Sequence, residues 1–179
     1  MALAPSLATV EALYRKLERE LYRAHHQKDR LHKADHFSNF CATAHAMQDY
    51  FLERIGKISH ADRQPYFDLW ATEPLLVAVG EIANSTKHFV LRDRKTRAVR
   101  TPKTKRVRLG RSNVADVYVS ADGRAVVVRE PAADIFVVLS DNTRHELYSF
   151  MIQVLKYWEQ FLKGNGIRVR RQPFAKLHG

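Results

Sequence analysis

Apolar residues return every three or four positions in three separate stretches of this chain, and that spacing constrains the fold more than any other feature. Val10, Leu13, Tyr14, Leu17 and Leu21 form the first series. Phe37, Phe40, Cys41, Ala44, Met47, Phe51 and Ile55 form the second. Leu147, Phe150, Met151, Val154, Trp158, Phe161 and Leu162 form the third. A 3.6-residue period places each series on one side of a helix, so each helix needs a partner to cover it. The spacing predicts helices over about 7–30, 35–56 and 143–163. A fourth is expected over about 72–89, with Leu75, Leu76, Val79, Ile82 and Ala83 inward. Thr72-Glu73-Pro74 resembles a helix start, with a hydroxyl cap, an early acid and a proline where no amide bond is lost. Thr143 and Glu146 fit a capping box for the last helix. Residues 59–65 break the pattern, and 66–70 read as a short helical turn. The expected class is mainly α, an antiparallel helical bundle.

Between the fourth helix and the last, the period falls to two. Residues 114–120 and 124–130 are rich in valine and are joined through Asp122-Gly123, a two-residue hairpin signal. Pro131 is expected to end the second strand, and 134–139 to form a third. Residues from 91 to 109 read as an extended loop or hairpin. A small antiparallel β section and a basic arm, about 92–139, are thus inserted before the last helix. The hydrophobic fraction of 45% suffices for a real core. One domain is expected over 1–167, followed by a basic tail over 168–179.

Charge is concentrated in the insertion. Arg92, Arg94, Lys95, Arg97, Arg100, Lys103, Lys105, Arg106, Arg108 and Arg111 face one acid, Asp93, within residues 92–111. The whole chain carries +11, so this one segment supplies most of the imbalance. Such lopsidedness points to a polyanion partner, with RNA first. Cys41 is the single cysteine, which excludes an intrachain disulfide and fits a reducing, cytoplasmic setting. The first residues lack the basic and apolar regions of a signal peptide. The longest apolar run, 75–79, is too short to span a bilayer, and few apolar anchors accompany the basic arm. No membrane contact is expected.

Three constellations could carry chemistry. His32 and His36 stand four residues apart, but the cations Lys28, Arg30 and Lys33 surround them and no further ligand has a fixed spacing. No metal or other cofactor is expected. Cys41, His45 and Asp49 line up at four-residue intervals, yet Cys41 lies inside the apolar stripe, where free thiols are inert core residues. The third is Asn84 and His88, on one side of the fourth helix, with Lys87 beside them and Arg92 and Arg94 following. Cleavage of RNA without a metal needs a proton shuttle near neutral pH and a cation at the phosphate. Imidazole suits the first task and guanidinium the second. A helix-end histidine and lysine are also favoured simply by the helix dipole.

A mostly helical chain with a polar residue, a short spacer and histidine on an inner helix resembles the HEPN superfamily. That resemblance implies a helical bundle, often dimeric. It also implies a metal-independent ribonuclease of the kind found in defence and toxin–antitoxin systems. Asn84 matches the polar residue of the family motif and His88 its histidine. Ala83 stands where the motif has arginine, and Glu81 and Ile82 hold the other permitted spacings. Under the resemblance, His88 is the general acid/base, Asn84 orients the phosphate or the imidazole, and Arg92 or Arg94 replaces the arginine. Activity is then weak or lost. The competing expectation is a non-enzymatic subunit that docks a protein partner through the β section.

Overall fold

The computed structural model describes residues 7–85, 92, 96 and 98–171, with side chains at 114–116, 118, 129 and 130 set aside. Five helices account for most of the described residues: α1 (Val10–His26), α2 (Arg30–Arg54), α3 (His60–Ala71), α4 (Pro74–Ser85) and α5 (Leu147–Gly164). Three strands, β1 (Arg106–Val119), β2 (Ala125–Val138) and β3 (Arg144–Glu146), lie between α4 and α5. The chain is mainly α, with a small antiparallel sheet inserted before the final helix.

Local signals set the helix ends. Thr9 caps α1 by accepting a hydrogen bond from the Ala12 amide. Asp29 caps α2 by accepting from the Leu31 and His32 amides, both at 2.9 Å. The expected first helix to 30 and second from 35 are therefore corrected: the break falls at 27–29, where an acid satisfies orphan amides. A second correction concerns 59–70. Ser59 accepts from the Asp62 amide and starts a twelve-residue helix, α3, so the expected short turn is three turns long. Pro65 sits inside α3, where it removes one helical bond without ending the helix. Thr72 closes α3 rather than opening α4, and the Glu73 carboxylate faces the Leu75 amide instead.

The core is one continuous cluster. Tyr14, Leu17 and Leu21 of α1, Phe40, Met47 and Phe51 of α2, and Phe150, Val154 and Trp158 of α5 are fully enclosed. Trp70 of α3 packs against Trp158 and Phe161 of α5 with ring centroids 5.8 and 5.7 Å apart. These rings tie α3 to the bundle, which explains why a helix with one buried residue stays docked. Across α1 and α2, His36 Nδ1 lies 3.3 Å from the buried Glu20 carboxylate.

The sheet corrects two more expectations. Residues 125–138 form one strand that passes through Pro131 without stopping. Pro131 pairs with Asn113 where β2 has no second neighbour among the described residues, since β3 reaches only residues 136–138. A proline is tolerated in a strand whose outer edge is free. The capping box is also absent: Arg144–Glu146 form β3, and Glu146 makes no side-chain cap bond to α5. The expected two-residue Asp122-Gly123 turn is corrected to a three-residue loop over 121–123: the Gly123 amide donates to the Ser120 carbonyl, Gly123 takes φ +80°, and the Ser120 amide donates to the Arg124 carbonyl.

Side chains alternate across the ribbon. Ile135 and Val137 point into the bundle and are 2% and 0% exposed, with Leu109 packed beside them. Arg106, Arg108, Phe136 and Arg144 occupy the other face. Beyond about residue 113 the ribbon leaves the bundle, and its valines become exposed.

Candidate nucleic-acid interface and adjoining cleft

Seven of the ten expected cations fall on described positions: Arg92, Arg100, Lys103, Lys105, Arg106, Arg108 and Arg111. All seven are exposed. Arg92 forms an isolated antiparallel bridge with Val99. Lys87, His88, Arg94, Lys95 and Arg97 lie outside the described residues.

The ribbon base fixes two guanidiniums. Arg108 stands opposite Phe136 in the β1–β2 register, and its guanidinium carbon lies 5.6 Å from the ring centroid. Arg144, from β3, lies 4.4 Å from the same centroid. Phe136 is on the outer face yet only 4% exposed, because these two cations and the main chain at Gly110 cover it. Gly110 is required there: a Cβ would stand 2.6 Å from the Phe136 ring. An aromatic ring between two guanidiniums restrains both without neutralising either. Among the described residues neither guanidinium is paired with a carboxylate. Arg106 shares this face.

Glu81 anchors the segment that leads into β1. It is on α4 and 7% exposed. Its carboxylate accepts from the Lys103 and Thr104 amides, both at 2.8 Å, and from Arg100 at 3.4 Å. Burial pushes its pKa up, but hydrogen bonding from Thr104 and Lys103, with the Arg100 charge, outweighs that and holds the carboxyl below its usual range. The group is therefore more acidic folded than unfolded. Its contribution to stability is fully present above the ordinary glutamate range and is lost as pH falls through the depressed folded value. In the sequence Glu81 stood out only as one of the motif spacings that lacks arginine.

Beside this anchor is a cleft of about 340 Å³ between α2, α3, α4 and the 100–103 segment. Asn84 lines it, with His45 and Gln48 of α2, Phe67 and Trp70 of α3, and Arg100 and Lys103 at its edge. Leu76, Val77, Gly80, Glu81 and Asn84 follow helical spacing, so one face of α4 supplies the wall. The imidazole lies against this face of α4: a Cβ built at Gly80 would meet His45 Nδ1 at 3.4 Å, an ordinary contact distance. Asn84 thus shares the cleft with an imidazole, His45, that the motif reading did not include. The i, i+4, i+8 alignment of Cys41, His45 and Asp49 was the one available signal.

Comparison with protein-family models, with curated proteins and with solved structures finds no match. The chemistry of the site must therefore be read from its own residues. Cys41 is fully enclosed and burial pushes its thiol well up, so it stays a neutral core group. No three His, Cys, Asp or Glu side chains converge in a way that could hold a metal ion among the described residues. Likewise, no helix among them is long and apolar enough to cross a membrane.

Proposed function

We propose that this protein is a HEPN-like, RNA-binding helical domain whose basic arm and ribbon base carry the phosphate chain. The observation that carries the proposal is the Arg108–Phe136–Arg144 stack on an exposed sheet face, with Arg106 beside it and Lys103 and Lys105 leading into it. Phosphates attract such a row regardless of sequence, and each neutralised phosphate releases counterions. The cleft lies where the row meets α4, so a strand crossing Lys103 and Arg100 passes its mouth. The Glu81 bonds hold that crossing point in place.

A metal-independent ribonuclease of a defence or toxin–antitoxin system is the catalytic form of this reading. His88 then moves the proton, Asn84 orients the phosphate or the ring, and Arg92 or Arg94 supplies the missing cation. A cytoplasmic setting agrees with the single buried thiol. His88→Ala should abolish cleavage of a labelled RNA and leave the thermal midpoint unchanged. Cleavage retained by the folded variant removes His88 from the reaction.

Binding is tested separately, by the affinity of a labelled single-stranded RNA before and after Lys103, Lys105, Arg106 and Arg108 are changed to glutamine. The variant should bind much more weakly. Equal affinity ends the proposal, whatever His88 does.

A further inference from the structure

The outer half of the β1–β2 ribbon has a different character from its base. Residues 111–130 contain three cations, Arg111, Arg124 and Arg129, and three acids, Asp116, Asp122 and Glu130. A chain of net +11 thus ends in a neutral tip, to which a polyanion has no net attraction. The tip is instead apolar. Val117, Val119 and Val127 are 64%, 76% and 56% exposed on the face that, nearer the base, buries Ile135 and Val137 in the core. Val126 and Val128 are exposed on the opposite face.

The edges are as open as the faces. Among the described residues β1 pairs with β2 alone, over all fourteen of its residues, and its sequence has no proline. The outer edge of β2 is interrupted by Pro131 and then taken by β3. So, among the described residues, β1 offers a long edge of the ribbon with every amide present. Two strands with exposed valines are marginal in water, whereas a sheet of three or more with a shared apolar face is stable.

We infer that the ribbon tip is a self-association surface, on which the β1 edge of one copy pairs antiparallel with the β1 edge of a second. A two-fold axis lets one edge serve both partners, because the same surface meets itself. The result is a four-stranded sheet that merges the valine faces of both tips. The neutral charge lets two strongly basic copies approach at this point, and leaves the basic ribbon bases of the dimer far apart. This contact is independent of RNA binding.

Sedimentation equilibrium of the full chain, stripped of nucleic acid by nuclease and high salt, tests the inference. The protein should sediment as a dimer. Val117→Lys with Val119→Lys should return it to a monomer, with helical circular dichroism and thermal midpoint unchanged. Ile58→Lys, at an exposed apolar residue far in sequence from the ribbon, should remain a dimer. A monomeric parent protein overturns the inference, and so does a dimer that survives the paired lysines. Should the lysine variant fail to fold, single cysteines at Asn113, Val117 or Val119 decide the matter, since the native thiol is buried. Mild oxidation should give a covalent dimer from at least one of the three. No covalent dimer from any overturns the edge pairing.

Discussion

Trp158→Ala should cost about 3–5 kcal/mol of folding stability, the range for deleting an enclosed aromatic side chain. Trp158 is 0% exposed and touches rings of both α3 and α5: Trp70 at 5.8 Å, Phe161 at 5.7 Å and Tyr157 at 5.8 Å. The neighbours belong to a longer chain of rings that continues through Phe51 of α2 to Tyr66 of α3. Removing the central indole leaves a cavity among these rings. Small proteins hold only about 5–15 kcal/mol in total, so the loss is a large share. At roughly 2–4 °C per kcal/mol for a chain of this size, the thermal midpoint should fall by about 6–20 °C. Thermal unfolding followed by circular dichroism measures it. A midpoint within a degree of the parent would show that α3 and α5 are not joined through these rings.

The second large effect is expected at Glu81→Ala. This change leaves the Lys103 and Thr104 amides and the Arg100 guanidinium without their shared acceptor. Hydrogen bonds to a charged group contribute about 1.5–3 kcal/mol each, part of which water restores where the segment is exposed. A loss of about 2–3 kcal/mol should result. It should be local as well as global: amide exchange at Lys103 and Thr104 should accelerate, while that of α1 and α5 follows the global loss. Glu81→Gln should recover part of the stability by keeping one acceptor. The pH dependence has the sign given by the depressed carboxyl. The parent protein should lose this protection as pH falls below the ordinary glutamate range, and the alanine variant should show no such step. Unchanged exchange at Lys103 and Thr104 would mean that the basic segment is not held by α4.

Helix positions were legible because burial imposes a period, and Leu13, Phe40 and Trp158 report it directly. Helix boundaries were less so. Asp29 and Ser59 act as caps through hydrogen bonds to amides two or three residues on, and neither stands beside a clear change of period. Thr143 has the residue type of a cap and the right partner at Glu146, yet pairing with β2 takes Arg144–Glu146 first. Tertiary pairing outweighs a capping box that contributes about 1 kcal/mol.

The ribbon shows the same lesson in a different form. A two-residue Asp122-Gly123 turn would slip the register by one, whereas the three-residue loop over 121–123 sets Val119 opposite Ala125 and so Arg108 opposite Phe136. Treating Pro131 as a stop hid that pairing, because whether proline ends a strand depends on whether its outer edge is occupied. The site was legible as a list of cations and an Asn84–His88 spacing. It was not legible as a cleft, because His45, Gln48, Trp70 and Glu81 come together only through the packing of three helices.

The central claim is that phosphate binding runs along the described cations of the arm and ribbon base. Its most direct test is the salt dependence of affinity for a labelled single-stranded RNA. With Arg92, Arg100, Lys103, Lys105, Arg106 and Arg108 engaged, log K should fall against log salt with a slope of about −4, a loss of roughly 300-fold between about 50 and 200 mM salt. Neutralising Lys103, Lys105, Arg106 and Arg108 should flatten the slope to about −1.4, a loss of roughly 7-fold over the same interval. A shallow slope in the parent protein, or the same steep slope in both proteins, would contradict the account.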